Sequence, residues 1–286
     1  MSTIRSYRSA IASCHRGFPD GSTVTSNPFL SSLLRSCFLK RPPAKPLVPA
    51  WSLPAVLRVL ASAPFEPLHA ASLRLVTLKT AFLVAIASGH RVSSLRALTI
   101  DPGHLRWESS GVRLIPRMGF IAKNQTYSSA SVEIFLPAIS TFSSVEEDKV
   151  WCPVRALKWY LERTKSKRTS SALFVATIAP HKGVASSTIA NWLVECIKMA
   201  GADAILADRV RAHDTRSVSS SWALFNGASL VDIQRAAFWS NPNSFISCYL
   251  KDVLVGEASF AQAVLKSVVV SSSGSGSAKG KSHVSK

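Results

Sequence analysis

The stretch from Val210 to Leu250 constrains the fold more than any other part of the chain. It reads Val-Arg-Ala-His213-Asp-Thr-Arg216, keeps helical spacing to Asn226-Gly227, restarts at Ser229, passes Phe238-Trp239, and ends in Asn241-Pro242 and Cys248-Tyr249-Leu250. Asn226-Gly227 is a helix stop. Ser229 followed by Asp232 is an N-cap with an acidic residue in the first turn, and Asn241-Pro242 is a second start with proline at the first helical position. The expectation is three short helices: the first carries His213 and Arg216, the second ends at Trp239, and the third carries Tyr249. Three residues apart on a helix, His213 and Arg216 share a face and can address one anion.

The charge balance says what that anion is drawn from. The chain has 286 residues, 47% of them hydrophobic, enough for a sizeable core in one or two domains, yet its formal net charge is +18 and its pI about 10.2. Such a balance speaks to partners, with nucleic acid first and an anionic membrane surface second. The five cysteines, Cys14, Cys37, Cys152, Cys196 and Cys248, are scattered and form no Cys-x-x-Cys pair, so neither a disulfide framework nor a metal site is expected, and a reducing compartment is the default. The most apolar run, Leu75 to Ser88, is too short to span a membrane and carries Lys79, so it reads as a core helix and no membrane partner is expected.

Read in order, residues 1–48 form a basic segment expected to be disordered or linker-like. Pro28, Pro42, Pro43 and Pro46 interrupt it, and one short helix is expected over Phe29 to Leu39. Its Ser- and Arg-rich start suits a transit peptide superficially and a disordered basic tail better. Helical stripes follow over Ser52 to Ala61 and Leu73 to Ser88, the latter closed by Gly89, which places His90-Arg91 at the turn into Val92 to Leu98. His104 to Glu108, Gly111 to Pro116 and Ser131 to Pro137 read as strands, with Lys123 and Arg117 in or beside the loop joining the last two. Val154 to Thr164 is a helix with Lys158, Arg163, Lys165, Lys167 and Arg168 on its polar side or just beyond its end. Such a cluster is either a solvated surface or, with few acids to neutralise it, a phosphate-binding one. Leu173 to Ala176 reads as a short strand, Ser187 to Met199 as an amphipathic helix, and Trp192 and Trp222 as core. Residues 266–286 are a flexible Ser/Gly/Lys tail.

The order His213, Arg216, Trp239, Tyr249, together with Arg91 after a glycine stop, resembles the C-terminal half of a tyrosine recombinase of the phage-integrase-like family. Within that family the sequence is most similar to recombinases of DIRS-type retrotransposons. The resemblance runs from about Pro49 to Val253 and is also carried by Pro64-Phe65-Glu66-Pro67-Leu68, Leu78-Lys79-Thr80, Cys152-Pro153-Val154 and Ser221-Trp222-Ala223. It implies a mainly α fold with a small antiparallel sheet, an α+β catalytic domain over residues 49–265. It also implies that Arg91 and Arg216 are the catalytic arginines, that Lys123 (or, as a weaker match, Arg117) is the acid for the leaving group, and that Trp239 stands where relatives have His or Trp. Tyr249 becomes the nucleophile. The sequence departs from the pattern at Ser94, where many members have an acid, and in a step from Trp239 to Tyr249 about one residue longer than in many integrases.

The chemistry explains why these residue types are needed. Phosphodiester transfer without a metal cofactor needs fixed positive charge as negative charge develops on the nonbridging oxygens, and guanidinium groups stay protonated and fork onto phosphate. A tyrosine with an ordinary pKa near 10 must lose its proton during attack, and His213 can accept or relay it. The resemblance implies a 3′-phosphotyrosine intermediate, reversed by the freed 5′-hydroxyl to rejoin the strand, with double-stranded DNA as partner, a homo-oligomer assembled on it, and a nuclear location in a eukaryote. Each position has a bland counterpart: Arg91 as a helix cap, Lys123 as a solvated loop lysine, Trp239 and Tyr249 as core aromatics. Relatives carry a separate helical DNA-clamping domain upstream, for which residues 1–48 leave no room. The enzyme therefore competes with a DNA-binding protein that keeps the fold without turning over, and more remotely with a type IB topoisomerase.

Overall fold

The computed structural model describes residues 2–42, 48–122, 133–201, 210–239 and 242–253. The chain divides into two compact units, residues 1–46 and 47–286.

The first unit corrects the expectation of an irregular segment. It carries two helices, α1 (Ser2–Cys14) and α2 (Pro28–Lys40), where only the second was expected. Ile4, Tyr7 and Ile11 recur at helical spacing along α1, a signal the serine and arginine content masks. Asn27 caps α2 by accepting the Leu30 N–H at 3.1 Å, with Pro28 in the first turn, where its missing N–H has no helical partner to lose. Arg8 of α1 donates to the carbonyls of Val24 (3.1 Å) and Thr25, which ties α1 to the turn before α2.

The second unit is built around a buried helix. Its elements are α3 (Leu53–Leu60), α4 (Leu73–Ser88), α5 (Val92–Arg96), β1 (Leu105–Glu108), β2 (Gly111–Leu114), β3 (Ile134–Pro137), α6 (Pro153–Lys165), α7 (Ser186–Met199), α8 (Asp214–Phe225), α9 (Leu230–Ala237) and α10 (Pro242–Cys248). Helix α4 is apolar on every side and lies against α6, α7 and α8. Ser72 caps its start by accepting the Leu75 N–H, and Gly89 ends it in the left-handed conformation at φ 62°, as the sequence predicts. No helix among the described residues is long and apolar enough to cross a membrane.

The three strands form an antiparallel meander in the order β1-β2-β3. Val112, Leu114, Ile134 and Leu136 turn into the core, while Arg113 on the opposite face pairs with Glu108 (2.8 Å) and Glu133 (3.1 Å). Gly111 is required at its position: a Cβ there would lie 2.2 Å from the Leu136 carbonyl oxygen. The strand expected at Leu173 to Ala176 reduces to isolated bridges, Thr99 with Ala172 and Val175 with Gly183; Leu173, Phe174 and Val175 are buried by packing and not by a ladder.

Lys79, inside α4, is fully buried. Its ammonium donates to the Leu60 carbonyl at 2.7 Å and to Glu66 at 2.5 Å, and Arg155 of α6 reaches the same carboxylate with both guanidinium ends, at 2.7 and 3.1 Å. Burial alone would raise the Glu66 pKa, but hydrogen bonds from Arg155 and Lys79 outweigh it and hold the carboxyl below its ordinary range. The contribution of Glu66 to stability is therefore complete above its ordinary pKa and is lost as the pH falls through the depressed folded value. Glu66→Gln strands a buried ammonium and should cost about 3–5 kcal/mol in equilibrium urea unfolding, much of it regained by adding Lys79→Met. An unchanged urea midpoint would mean that the triad is not what joins α4 to α6.

Candidate active site

Arg216, in the first turn of α8, is the hub on which the site is built, and only 2% of its surface is exposed. Its Nη1 donates to the Gly89 carbonyl at 2.9 Å and its Nη2 to the Ala237 carbonyl at 2.5 Å, so one guanidinium joins the end of α4 to the end of α9. The guanidinium carbon lies 4.5 Å from the centre of the Trp239 ring and 5.4 Å from that of Tyr249. Tyr249 in turn packs its ring on Trp239 (4.8 Å) and on His213 (5.3 Å).

Local backbone chemistry delivers these side chains. Phe238 ends α9 in the left-handed region at φ 50°, uncommon for a phenylalanine, and this turns the chain so that Trp239 folds back over Arg216. Trp239 thus lies beyond α9 and is buried against Ile233, Ala237 and Phe245. Tyr249 lies one residue past the end of α10, its N–H donating to the Phe245 carbonyl at 2.8 Å. The backbone N–H of Lys251 donates to Ser221 Oγ of α8 at 2.8 Å, which fixes the segment carrying Tyr249 to the helix carrying Arg216. His213 occupies the N-cap position of α8 with its side chain exposed, so it flanks the helix start and is not within the helix.

The electrostatics are those of an anion site. Burial pulls the Arg216 pKa down to about 10, the neighbouring Arg91 guanidinium adds to the fall, and the Tyr249 phenol opposes it; at neutral pH the group stays charged. His90, buried with its ring 5.0 Å from Phe238, is pushed down to about 3 by burial and by the charges of Arg216 and Arg91. It is therefore neutral at physiological pH, and it makes the fold progressively less stable as the pH drops below the unfolded value of 6.5. Two buried donors, Arg216 Nε and Trp239 Nε1, have no hydrogen-bond partner among the described residues. Buried donors are rarely left so, and these flank one another beside the Tyr249 ring.

The structure thus brings together Arg216, Trp239, Tyr249 and His213, with Arg91 near enough to shift Arg216. Arg91 is the N-cap residue of α5, but its side chain makes no capping bond, leaving the guanidinium to other uses. Lys123 lies outside the described residues. Arg117 is exposed where the chain leaves β2, its N–H on the Ala97 carbonyl at 2.8 Å, so the base of the loop that carries Lys123 adjoins α5. Of the basic cluster, Lys165 and Lys167 are exposed and Lys158 lies 5.2 Å from the Trp107 ring centre. Arg163 reaches the His69 carbonyl at 3.4 Å, while Arg168 turns inward to the Ala172 carbonyl (3.0 Å) and Thr164 Oγ1 (2.6 Å). The sequence reading missed His90, the carbonyls of Gly89 and Ala237, and the Ser221 hydroxyl. Of these Gly89 carried a signal as a helix stop, His90 only by its place at the turn after it, and Ser221 only within Ser221-Trp222-Ala223.

Solved structures share this architecture. XerA recombinase matches at a TM-score of 0.50 and 18% identity over 93% of this chain and 81% of that one. XerH site-specific recombinase in its post-cleavage complex with a palindromic difH substrate matches at 0.50 and 13% identity over 76% of this chain and 50% of that one. The chain spans about half the length of the XerH chains it matches, 49% in the pre-cleavage complex with difH. No protein-family model and no curated protein matches the sequence. At such identities the likeness is one of architecture: the chain has the fold of a tyrosine recombinase catalytic domain, mainly helical with a small antiparallel sheet.

Proposed function

We propose that this chain is a tyrosine recombinase of DIRS-type retrotransposon origin that cleaves and rejoins double-stranded DNA through Tyr249. The observation that carries the reading is the Arg216 guanidinium framed by Trp239, Tyr249 and His213, with two buried donors, Arg216 Nε and Trp239 Nε1, unpaired among the described residues beside the tyrosine. A phosphodiester oxygen is an acceptor for such donors. Arg91 and Arg216 hold its negative charge as it grows in the transition state, and His213 takes or relays the phenol proton. Lys123 protonates the departing 5′ oxygen, and the exposed Lys165 and Lys167 contact the backbone on either side. The 3′-phosphotyrosine keeps the energy of the broken bond, so rejoining needs no nucleotide cofactor. Assembly as a homo-oligomer on DNA and a nuclear site of action in a eukaryote complete the proposal.

One observation favours a second reading, a DNA-binding protein that no longer turns over. Each Nη group of Arg216 already gives one N–H to a protein carbonyl, which commits to the fold part of the fork that a clamp would turn on phosphate. A duplex nicked close to the cleavage site separates the two, because loss of the short 5′-hydroxyl fragment traps any covalent product. The enzyme should yield a band shifted by the attached DNA, without added metal ion. The inert binder should yield salt-sensitive binding, weakening by orders of magnitude from about 50 to 200 mM salt, and no adduct. Absence of both adduct and salt-sensitive binding would overturn both readings.

A further inference from the structure

A phenylalanine in the left-handed region, as Phe238 is at φ 50°, needs surroundings that hold it there. The chain changes partners at this residue. Phe238 packs on the main core, while Trp239, the next residue, belongs to a small separate cluster with Ile233, Ala237 and Phe245, on which Tyr249 and Leu250 pack. His90 meets the Phe238 ring: it is 5% exposed, and the two ring centres lie 5.0 Å apart at 49°. Its backbone is pinned on both sides. The His90 N–H donates to Ser88 Oγ at 3.3 Å, and the carbonyl of Gly89 just before it takes Arg216 Nη1 at 2.9 Å. Burial, together with the charges of Arg216 and Arg91, keeps the imidazole uncharged at physiological pH, so it fills this place without adding a third positive charge to the site.

We propose that His90 is a positioning residue of this site: its ring braces Phe238, and with it the turn that lays the Trp239 indole over Arg216 and beside Tyr249. Without the brace Phe238 is free to leave the left-handed region, and Trp239, one residue on, moves with it. The two unpaired donors, Arg216 Nε and Trp239 Nε1, then no longer flank one another. A displacement of that kind misaligns the donors for a phosphate bound between them while the rest of the DNA contact stays in place, so it lowers the rate and spares the affinity. The effect on cleavage rests on the reading of Tyr249 as nucleophile; the effect on the indole does not.

Two readouts test the brace in the full chain. One is the indole N–H signal of Trp239 in the nitrogen–proton NMR spectrum of tryptophan-labelled protein, assigned by its loss in Trp239→Phe. The other is the rate of adduct formation at saturating nicked DNA. His90→Ala should shift the Trp239 signal and slow the adduct by roughly 10–10²-fold, with the affinity for uncut DNA unchanged. His90→Phe keeps a flat ring against Phe238 and should restore the signal and most of the rate. Phe238→Ala removes the other half of the contact and should reproduce both effects, and the two alanine substitutions together should be no worse than either alone, since they break one contact. A His90→Ala protein with signal and rate at wild-type values, losses at the two positions that add, or a His90→Phe that restores neither readout would each overturn the proposal. If His90→Ala is too unstable to assay, Phe238→Ala decides, and a Trp239 signal that stays in place there overturns it. If wild type forms no adduct, the enzyme reading fails, and the indole signal alone decides for or against His90.

Discussion

Tyr249→Phe should abolish the covalent adduct with nicked DNA while leaving the fold and the affinity for uncut DNA almost unchanged. The substitution removes one oxygen and keeps the ring. The ring contacts with Trp239 and His213 persist, as do the bonds from the main-chain N–H groups, Tyr249 to the Phe245 carbonyl and Lys251 to Ser221 Oγ, and what is lost is the hydrogen bond between the phenol and Arg216. Loss of the hydroxyl should therefore shift stability by about 1–3 kcal/mol, whereas loss of a nucleophile is total. Thermal unfolding, a binding titration and the trapped band read the three quantities separately. An adduct that survives in the phenylalanine variant would remove Tyr249 from the mechanism. Tyr160 could not replace it, because it is buried, its hydroxyl accepts the Val175 N–H at 2.9 Å, and burial pushes its pKa up to about 12. Tyr127, outside the described residues, would then be tested next.

The helices around the site were legible because their ends carry chemical signals. Gly89, Asn226-Gly227, Ser229 and Pro242 stop or start α4, α8, α9 and α10 where the sequence places them. The three strands were legible from alternation; the structure trims the expected ends of β1 and β2 by one or two residues, and Ser131 and Val132 of the third lie outside the described residues. What could not be read is how the ends meet. Arg216 bonds two main-chain carbonyls, and a carbonyl leaves no trace in the identity of its residue. Phe238 adopts a left-handed conformation that asparagine or glycine would advertise and phenylalanine does not, so Trp239 was expected to end α9 when it in fact lies past it, folded over Arg216. Lys79 stood out in an apolar run, but its partner Glu66 lies thirteen residues earlier and Arg155 far later, joined only by tertiary packing. The basic cluster was read as one group, yet Arg168 is turned into the protein while Lys165 and Lys167 are exposed, a division set by position around the end of α6 that charge alone does not reveal.

Arg216→Lys should lose adduct formation by roughly 10²–10³-fold and destabilise the fold as well, and the second effect is what makes Arg91 the decisive comparison. A lysine keeps the charge but not the fork, so it cannot serve the carbonyls of Gly89 and Ala237 together. One buried acceptor is left unpaired, at about 1–3 kcal/mol. The joint between α4 and α9 loosens, Trp239 loses the surface it packs on, and slower cleavage could then follow from disorder alone. Arg91 has no such bonds among the described residues: it is half-buried, and its side chain makes no capping bond at α5. Arg91→Ala should therefore keep the wild-type unfolding curve and lose cleavage by a similar factor, with little loss of affinity for uncut DNA, since the clamp acts on charge that forms only in the transition state. Relief of the like charge should also raise the Arg216 pKa in this variant, because Arg91 is one of the groups that lower it. If Arg91→Ala cleaves as fast as wild type, then the paired-arginine clamp is wrong, and Arg216 is a structural rivet whose loss is felt only through the fold.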